Sequence, residues 1–136
     1  MGLAGGCLCG AIRYECSAEP IAAYLCHCHD CQRASGGPYA ACTMVAGEAF
    51  ELISGKTVKF ERPGDSGNLV IREFCGKCGS QLLSRSPVRP DWIVIRSGTL
   101  DDSSPTDPML HIWTASALDW ALPDDSAPRH PQGPPR

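Results

Sequence analysis

No stretch of this chain is apolar over the length that a membrane-spanning helix needs. The opening residues, MGLAGGCLCGAIRYEC, have neither a basic leader nor an apolar signal core. Position 6 is Gly6, not the Ser or Thr of a myristoylation signal. A soluble, cytoplasmic protein without a membrane partner is the resulting expectation. Positive charge is also scarce: 12 Lys and Arg stand against 15 Asp and Glu, a formal net charge of −3. That balance argues against a nucleic-acid partner held through phosphate contacts. Sustained helical periodicity is missing, and so is any internal repeat.

What the chain does have is a succession of short segments of alternating or β-rich character, namely AIRYEC, AAYLCH, YAACTMV, AFELIS, TVKFER, NLVIREF, DWIVIRSG and HIW. Each is bounded by Gly, Pro, Asp or Ser, as in SGGP, RPGDSGN and DDSSPTDP. The spacing predicts one short helix over HDCQRAS, stopped by Gly36 and Gly37, and allows a brief second one over TASALDWA. The expected fold class is all-β, in one domain, since 136 residues leave little room for a second. The tail, residues 121–136, is Pro-rich and expected to be irregular, with only its beginning packed.

Cysteine is over-represented for a chain of this length: nine in all, an odd number. In a secreted chain an odd count would suggest disulfides with one thiol left over. Without a leader, reduced thiolates on a metal are the better reading.

The cysteines sort by spacing into two sets. Cys7 and Cys9 form a C-x-C pair, and Cys75 and Cys78 a C-x-x-C pair. Residues two apart in a strand face the same side, with Cα atoms about 6.6 Å apart. Sulfurs around a tetrahedral zinc lie about 3.8 Å apart, so the backbone must curl inward, and Gly5, Gly6 and Gly10 supply the freedom. Four thiolates make a closed, structural shell that ties the N-terminus to the middle of the chain. The competing use of Cys75–Cys78, a redox-active pair, calls for a βαβ context that the sequence lacks.

The second set is Cys26, Cys28 and Cys31, in CHCHDC. Three thiolates within one turn, with a fourth position open, is the ligand count of a catalytic zinc site. His27 or His29 could close that site, although alternation points both away from Cys26 and Cys28. A role for His29 in proton handling also stays open. Cys16 and Cys42 fall outside both sets and read as small buried hydrophobes. Zinc is the expected metal, two ions per chain, because the C-x-C spacing does not match ferredoxin-type cluster runs.

GGCLCGAIRYEC, CHCHDCQRASG, FCGKCGSQL and HIW…DW together resemble the glutathione-dependent formaldehyde-activating enzyme family, whose domain centromere protein V also carries. The resemblance runs from Gly5 to Trp120, giving a domain over 5–120. It implies an all-β tent of small antiparallel sheets pinned by a four-cysteine zinc site. It further implies structural zinc on Cys7, Cys9, Cys75 and Cys78, and catalytic zinc on Cys26, Cys28 and Cys31. The implied activity is carbon–sulfur lyase chemistry, joining glutathione and formaldehyde reversibly as S-hydroxymethylglutathione. Three thiolates on zinc carry a formal charge of −1, so a cation should lie close; Arg33 is nearest in sequence and Arg13 is a second candidate. His111 and Trp113 are candidates for lining the pocket, and Ser35 to Gly37 for a close backbone approach to a ligand. A reading from a different class, a non-catalytic zinc module docking a protein partner, would be favoured by a histidine closing the second site.

Overall fold

Alternation within the strands divides the side chains between two cores, and the two cysteine sets are placed by that division. The computed structural model of the protein describes residues 2–103, 106–108, 110–121 and 127–134. Its strands are β1 (Leu3–Gly6), β2 (Arg13–Cys16), β3 (Ala22–Cys26), β4 (Ala40–Ala46), β5 (Phe50–Ser54), β6 (Val58–Pro63), β7 (Leu69–Phe74), β8 (Gln81–Arg85), β9 (Trp92–Arg96) and β10 (Leu110–Ile112). The helix expected over HDCQRAS is α1, His29–Ser35, and Gly36 ends it in the left-handed region at φ 69°. The second helical expectation shrinks to a single 3₁₀ turn at Thr114–Ser116. Among the described residues no helix is long and apolar enough to cross a membrane.

The strands form two sheets, as expected of an all-β tent. The smaller has the order β1-β2-β5 and the larger β10-β3-β4-β9-β8-β7-β6. Pairing is antiparallel except where β10 joins β3 in parallel, with His111 beside Leu25 and Ile112 beside Cys26. In β4 and β9, Val45, Ile93 and Ile95 face the smaller sheet and join Ile12, Tyr14, Leu82 and Leu100 in the first core. Ala40 and Cys42 face the other way, and with Tyr24, Ile112 and Cys26, Cys28 and Cys31 they make the second core.

Where the two sheets meet, backbone passes very close to side chain. Gly5 pairs with Leu100 across the sheets, and Asp101 donates its N–H to Ala4 O at 2.9 Å. Tyr14 stacks on Phe50 with ring centroids 5.3 Å apart and bonds Thr99 Oγ1 through its hydroxyl at 2.6 Å. A Cβ at Gly5 would collide with both Thr99 O and the Tyr14 hydroxyl.

The tail is more ordered than its proline content suggested. His111 N–H donates to Pro128 O at 2.8 Å, His130 N–H to His111 O at 2.9 Å, and Trp113 N–H to Gln132 O at 2.7 Å. The expectation that only its beginning packs is thus corrected: residues 128–132 run along β10. Proline takes away donors, but the tail's carbonyls still accept from β10, which is why a Pro-rich segment fits there.

Gly5→Ala should lower stability by about 1–3 kcal/mol through overpacking. Denaturant titration checks it; a midpoint equal to that of the unaltered protein would show that the sheets do not approach as closely as described.

Candidate functional site

The C-x-C and C-x-x-C pairs sit on two facing loops, one between β1 and β2 and the other between β7 and β8. In the first, Gly10 at φ 80° closes a turn onto Cys7 O at 3.1 Å. In the second, Gly79 at φ 79° closes onto Cys75 O at 2.8 Å. These turns bring Cys7 Sγ to 3.6 Å from Cys9 Sγ, and Cys9 Sγ to 3.8 Å from Cys75 Sγ. Both values suit sulfurs sharing one tetrahedral ion, about 3.8 Å apart. Amides converge on the sulfurs as the knuckle spacing suggests: Lys77 and Cys78 N–H on Cys75 Sγ, each at 3.4 Å, and Ile12 N–H on Cys7 Sγ at 3.3 Å. Such donors stabilise negative sulfur. Ser80 ties the loops together, its Oγ accepting from Leu8 N–H at 3.0 Å and lying 3.3 Å from Cys78 Sγ. All four sulfurs lie within 4.8 Å of one another, so this cluster could hold a thiophilic metal ion.

Cys26, Cys28 and Cys31 make the second cluster, also within 4.8 Å. Cys26 ends β3, Cys28 caps α1 by accepting the Cys31 N–H at 3.2 Å, and Cys31 lies one turn into the helix. All three are buried. The thiols are strongly linked: hydrogen bonds from Cys26 and then Cys28 hold Cys31 far below the usual thiol range, with Arg96 and Arg72 adding to the pull. Cys26, facing Cys28 and Cys31, is pushed well above that range. Three thiols this close resist ionising together, and a bound cation would let all three do so.

No histidine ring joins this cluster among the described residues. His27 points to the far side, as alternation required, and is fully buried with Nε2 3.1 Å from His111 Nδ1. Burial, with His111 beside it, pushes the His27 ring below the usual histidine range. His29 is exposed at the start of α1. The cluster instead opens on a cavity of about 150 Å³ whose wall includes Tyr24, Cys42, Arg72, Arg96 and Trp113, with Asp65 and Ser66 from the β6–β7 turn.

Of the other candidates, Trp113 reaches this cavity and His111 does not. Trp113 has φ 57°, the one non-glycine residue with positive φ among those described. A bulky residue in that conformation stores strain, which the surroundings must hold. They do so here through backbone bonds to the tail on one side and the Thr114–Ser116 turn on the other. Arg13 is committed elsewhere, in a bidentate pair with Asp101. Arg33 is exposed on α1 and lines an adjacent cavity. Ser35 Oγ accepts from Gly37 N–H and donates to Tyr39 O, both at 3.1 Å, so it closes the turn after the helix.

The cations nearest the cluster are Arg72 on β7 and Arg96 on β9, neither of which is close to it in sequence. The signal was an arginine inside the apolar strands LVIREF and WIVIR, at a position facing the second core. Arg96 Nη1 donates to Cys42 Sγ at 3.4 Å. Burial pushes the Cys42 thiol up to about 12, so it remains protonated. Cys16 is buried in the first core.

A family model described as glutathione-dependent formaldehyde-activating enzyme matches residues 2–116. A Halomonas elongata protein named "Putative glutathione-dependent formaldehyde-activating enzyme" is 29% identical, over 87% of this chain and 78% of its own length. The crystal structure of a Rhodobacter sphaeroides protein superposes with a TM-score of 0.58 at 19% identity, covering 72% of this chain and 87% of that one. It speaks for the fold alone.

Replacing Cys16 and Cys42 together with Ala should leave the metal content of the purified protein unchanged, as measured by elemental analysis. Loss of one equivalent would show that a sulfur outside the two clusters acts as a ligand.

Proposed function

Since the chain belongs to the glutathione-dependent formaldehyde-activating enzyme family, we propose that it is a zinc-dependent carbon–sulfur lyase acting on thiol–aldehyde adducts. Its reaction is the reversible joining of glutathione and formaldehyde into S-hydroxymethylglutathione. The observation that carries this reading is the second cluster: three buried sulfurs, no fourth ligand among the described residues, and a cavity at the open side.

In this reading Cys7, Cys9, Cys75 and Cys78 hold a structural zinc, and Cys26, Cys28 and Cys31 a working one. Zinc in the second set supplies acidity, so that a thiol is ionised near neutral pH. The chain's own residues do the rest. Arg72 and Arg96 offset the formal −1 of three thiolates on a divalent ion and favour a further negative sulfur. Arg96 is held in place by Cys42, which stays a neutral thiol. Trp113 and the Asp65–Ser66 turn line the cavity, which at about 150 Å³ admits a small electrophile such as formaldehyde. In the forward direction the thiol sulfur bonds to the carbonyl carbon, the C=O π pair moves to oxygen, and that oxygen takes the thiol's proton. The reverse breaks the same C–S bond and returns both reactants. Nine free cysteines suit a reducing compartment, and the cytoplasm is our placement.

Two outcomes follow. Cys75→Ala should destabilise the fold far more than Cys26→Ala, because metal binding coupled to folding is worth on the order of 10 kcal/mol in small metal-dependent domains. Equal losses in melting temperature would remove the division into structural and working sites. The zinc-loaded protein should also speed exchange between glutathione, formaldehyde and their adduct, read by exchange NMR, and Cys31→Ser should abolish that effect. No acceleration with both zinc equivalents present would sink the lyase reading.

A further inference from the structure

The metal-side cavity has a neighbour. A second cavity, of about 320 Å³, is lined by Asp30, Arg33, Phe60, Arg62, Arg72 and Phe74. Asp30 and Arg72 line both spaces, so the two adjoin. The strand period explains how. Val70, Arg72 and Phe74 lie on one face of β7: Val70 reaches the metal-side cavity, Phe74 the outer one, and Arg72, between them, both. Across the sheet Arg72 stands between Phe60 on β6 and Ser84 on β8.

Charge and satisfaction single out Arg72. Three guanidinium groups face the outer cavity against one carboxylate, Asp30, whose Oδ2 lies 3.5 Å from Arg62 Nε. That pair leaves Arg33 and Arg72 to set the local charge. Arg72 is only 7% exposed, yet its Nε has no hydrogen-bond partner among the described residues. A buried guanidinium donor left unmet is costly, and the ligand that best meets it is a carboxylate, which accepts two parallel N–H bonds from the arginine fork. Phe60 and Phe74 beside it offer apolar surface to the carbon chain that carries such a group.

We propose that the outer cavity is the subsite for a carboxylate of the thiol substrate, with Arg72 as the residue that selects carboxylate-bearing thiols. The inference rests on the lyase reading for its thiol but adds to it the anionic end of the substrate. The sulfur goes to the three-cysteine cavity, and a carboxylate several bonds away reaches Arg72 from the other side. Neutral thiols of similar size lack this anchor.

S-methylglutathione separates the anionic anchor from the sulfur, because its blocked sulfur cannot ionise. Titrated into the zinc-loaded full chain, it should shift the amide NMR signals of Phe60, Arg72 and Phe74 saturably. Its dimethyl ester should bind about tenfold more weakly or worse, the scale of one lost charge-assisted pair. Arg72→Gln should bring the acid's affinity down to that of the ester and leave the ester unaffected. The comparison of acid with ester uses the unaltered protein, so it decides the matter even if Arg72→Gln fails to fold. Equal binding of acid and ester, or no binding of either, overturns the subsite, whether or not glutathione exchange is catalysed. Carboxylate-dependent binding without catalysed exchange upholds the subsite and removes the lyase reading.

Discussion

Four sulfurs drawn from residues 7 to 78 meet within 4.8 Å, and they do so where the smaller sheet's first loop faces the larger sheet's β7–β8 loop. Longer sequence separations are bridged elsewhere by single bonds, Asp101 N–H to Ala4 O among them, but here four side chains converge on one point. The smaller sheet has three short strands, and its buried residues Leu3, Tyr14 and Cys16 share one core with residues of the larger sheet. Its burial depends on being held against β4, β8 and β9, and the sulfur cluster lies at one end of that contact. Thiolates packed this close repel unless a cation neutralises them, so under the proposed function a metal on this cluster would link its filling to the closure of the tent.

The second cluster works under the opposite constraint. Its three sulfurs come from a strand end, a cap and the first turn of one helix, so local geometry alone assembles them. They need no distant partner, and a side is left open. What is distant is the charge that balances them: Arg72 and Arg96 arrive from β7 and β9, on the same face of the larger sheet. The division of labour is thus between short-range chemistry that makes the ligands and long-range topology that sets their electrostatic surroundings.

This division also explains what the sequence showed and what it did not. Both cysteine clusters, the helix at His29–Ser35 and eight of the strands could be read from spacing and alternation, since each is a local pattern. Strand β1, LAGG, was missed because two glycines carry no strand preference; it is a strand only because β2 pairs with it. Strand β8, QLLSR, was missed because three buried residues in a row do not alternate. Arg72 and Arg96 could not be tied to Cys26, Cys28 and Cys31 without the register that aligns β4, β9, β8 and β7. Arg33, the nearest cation in sequence, points to the neighbouring space because α1 turns it there.

The outermost strands of the larger sheet are β10 and β6, and an edge strand presents an outer row of backbone donors and acceptors. On β6 that row is flanked by Lys59, Glu61 and Arg62 and ends in Pro63, a charged and interrupted border that a second sheet would find hard to join. β10 has only three residues, Leu110, His111 and Ile112, with no lysine, arginine or carboxylate among them. There the tail takes the place of a foreign strand, with Pro128 and His130 bonding to His111. Residues 128–132 therefore cover the outer edge of β10, an edge that would otherwise be open to pairing with another strand.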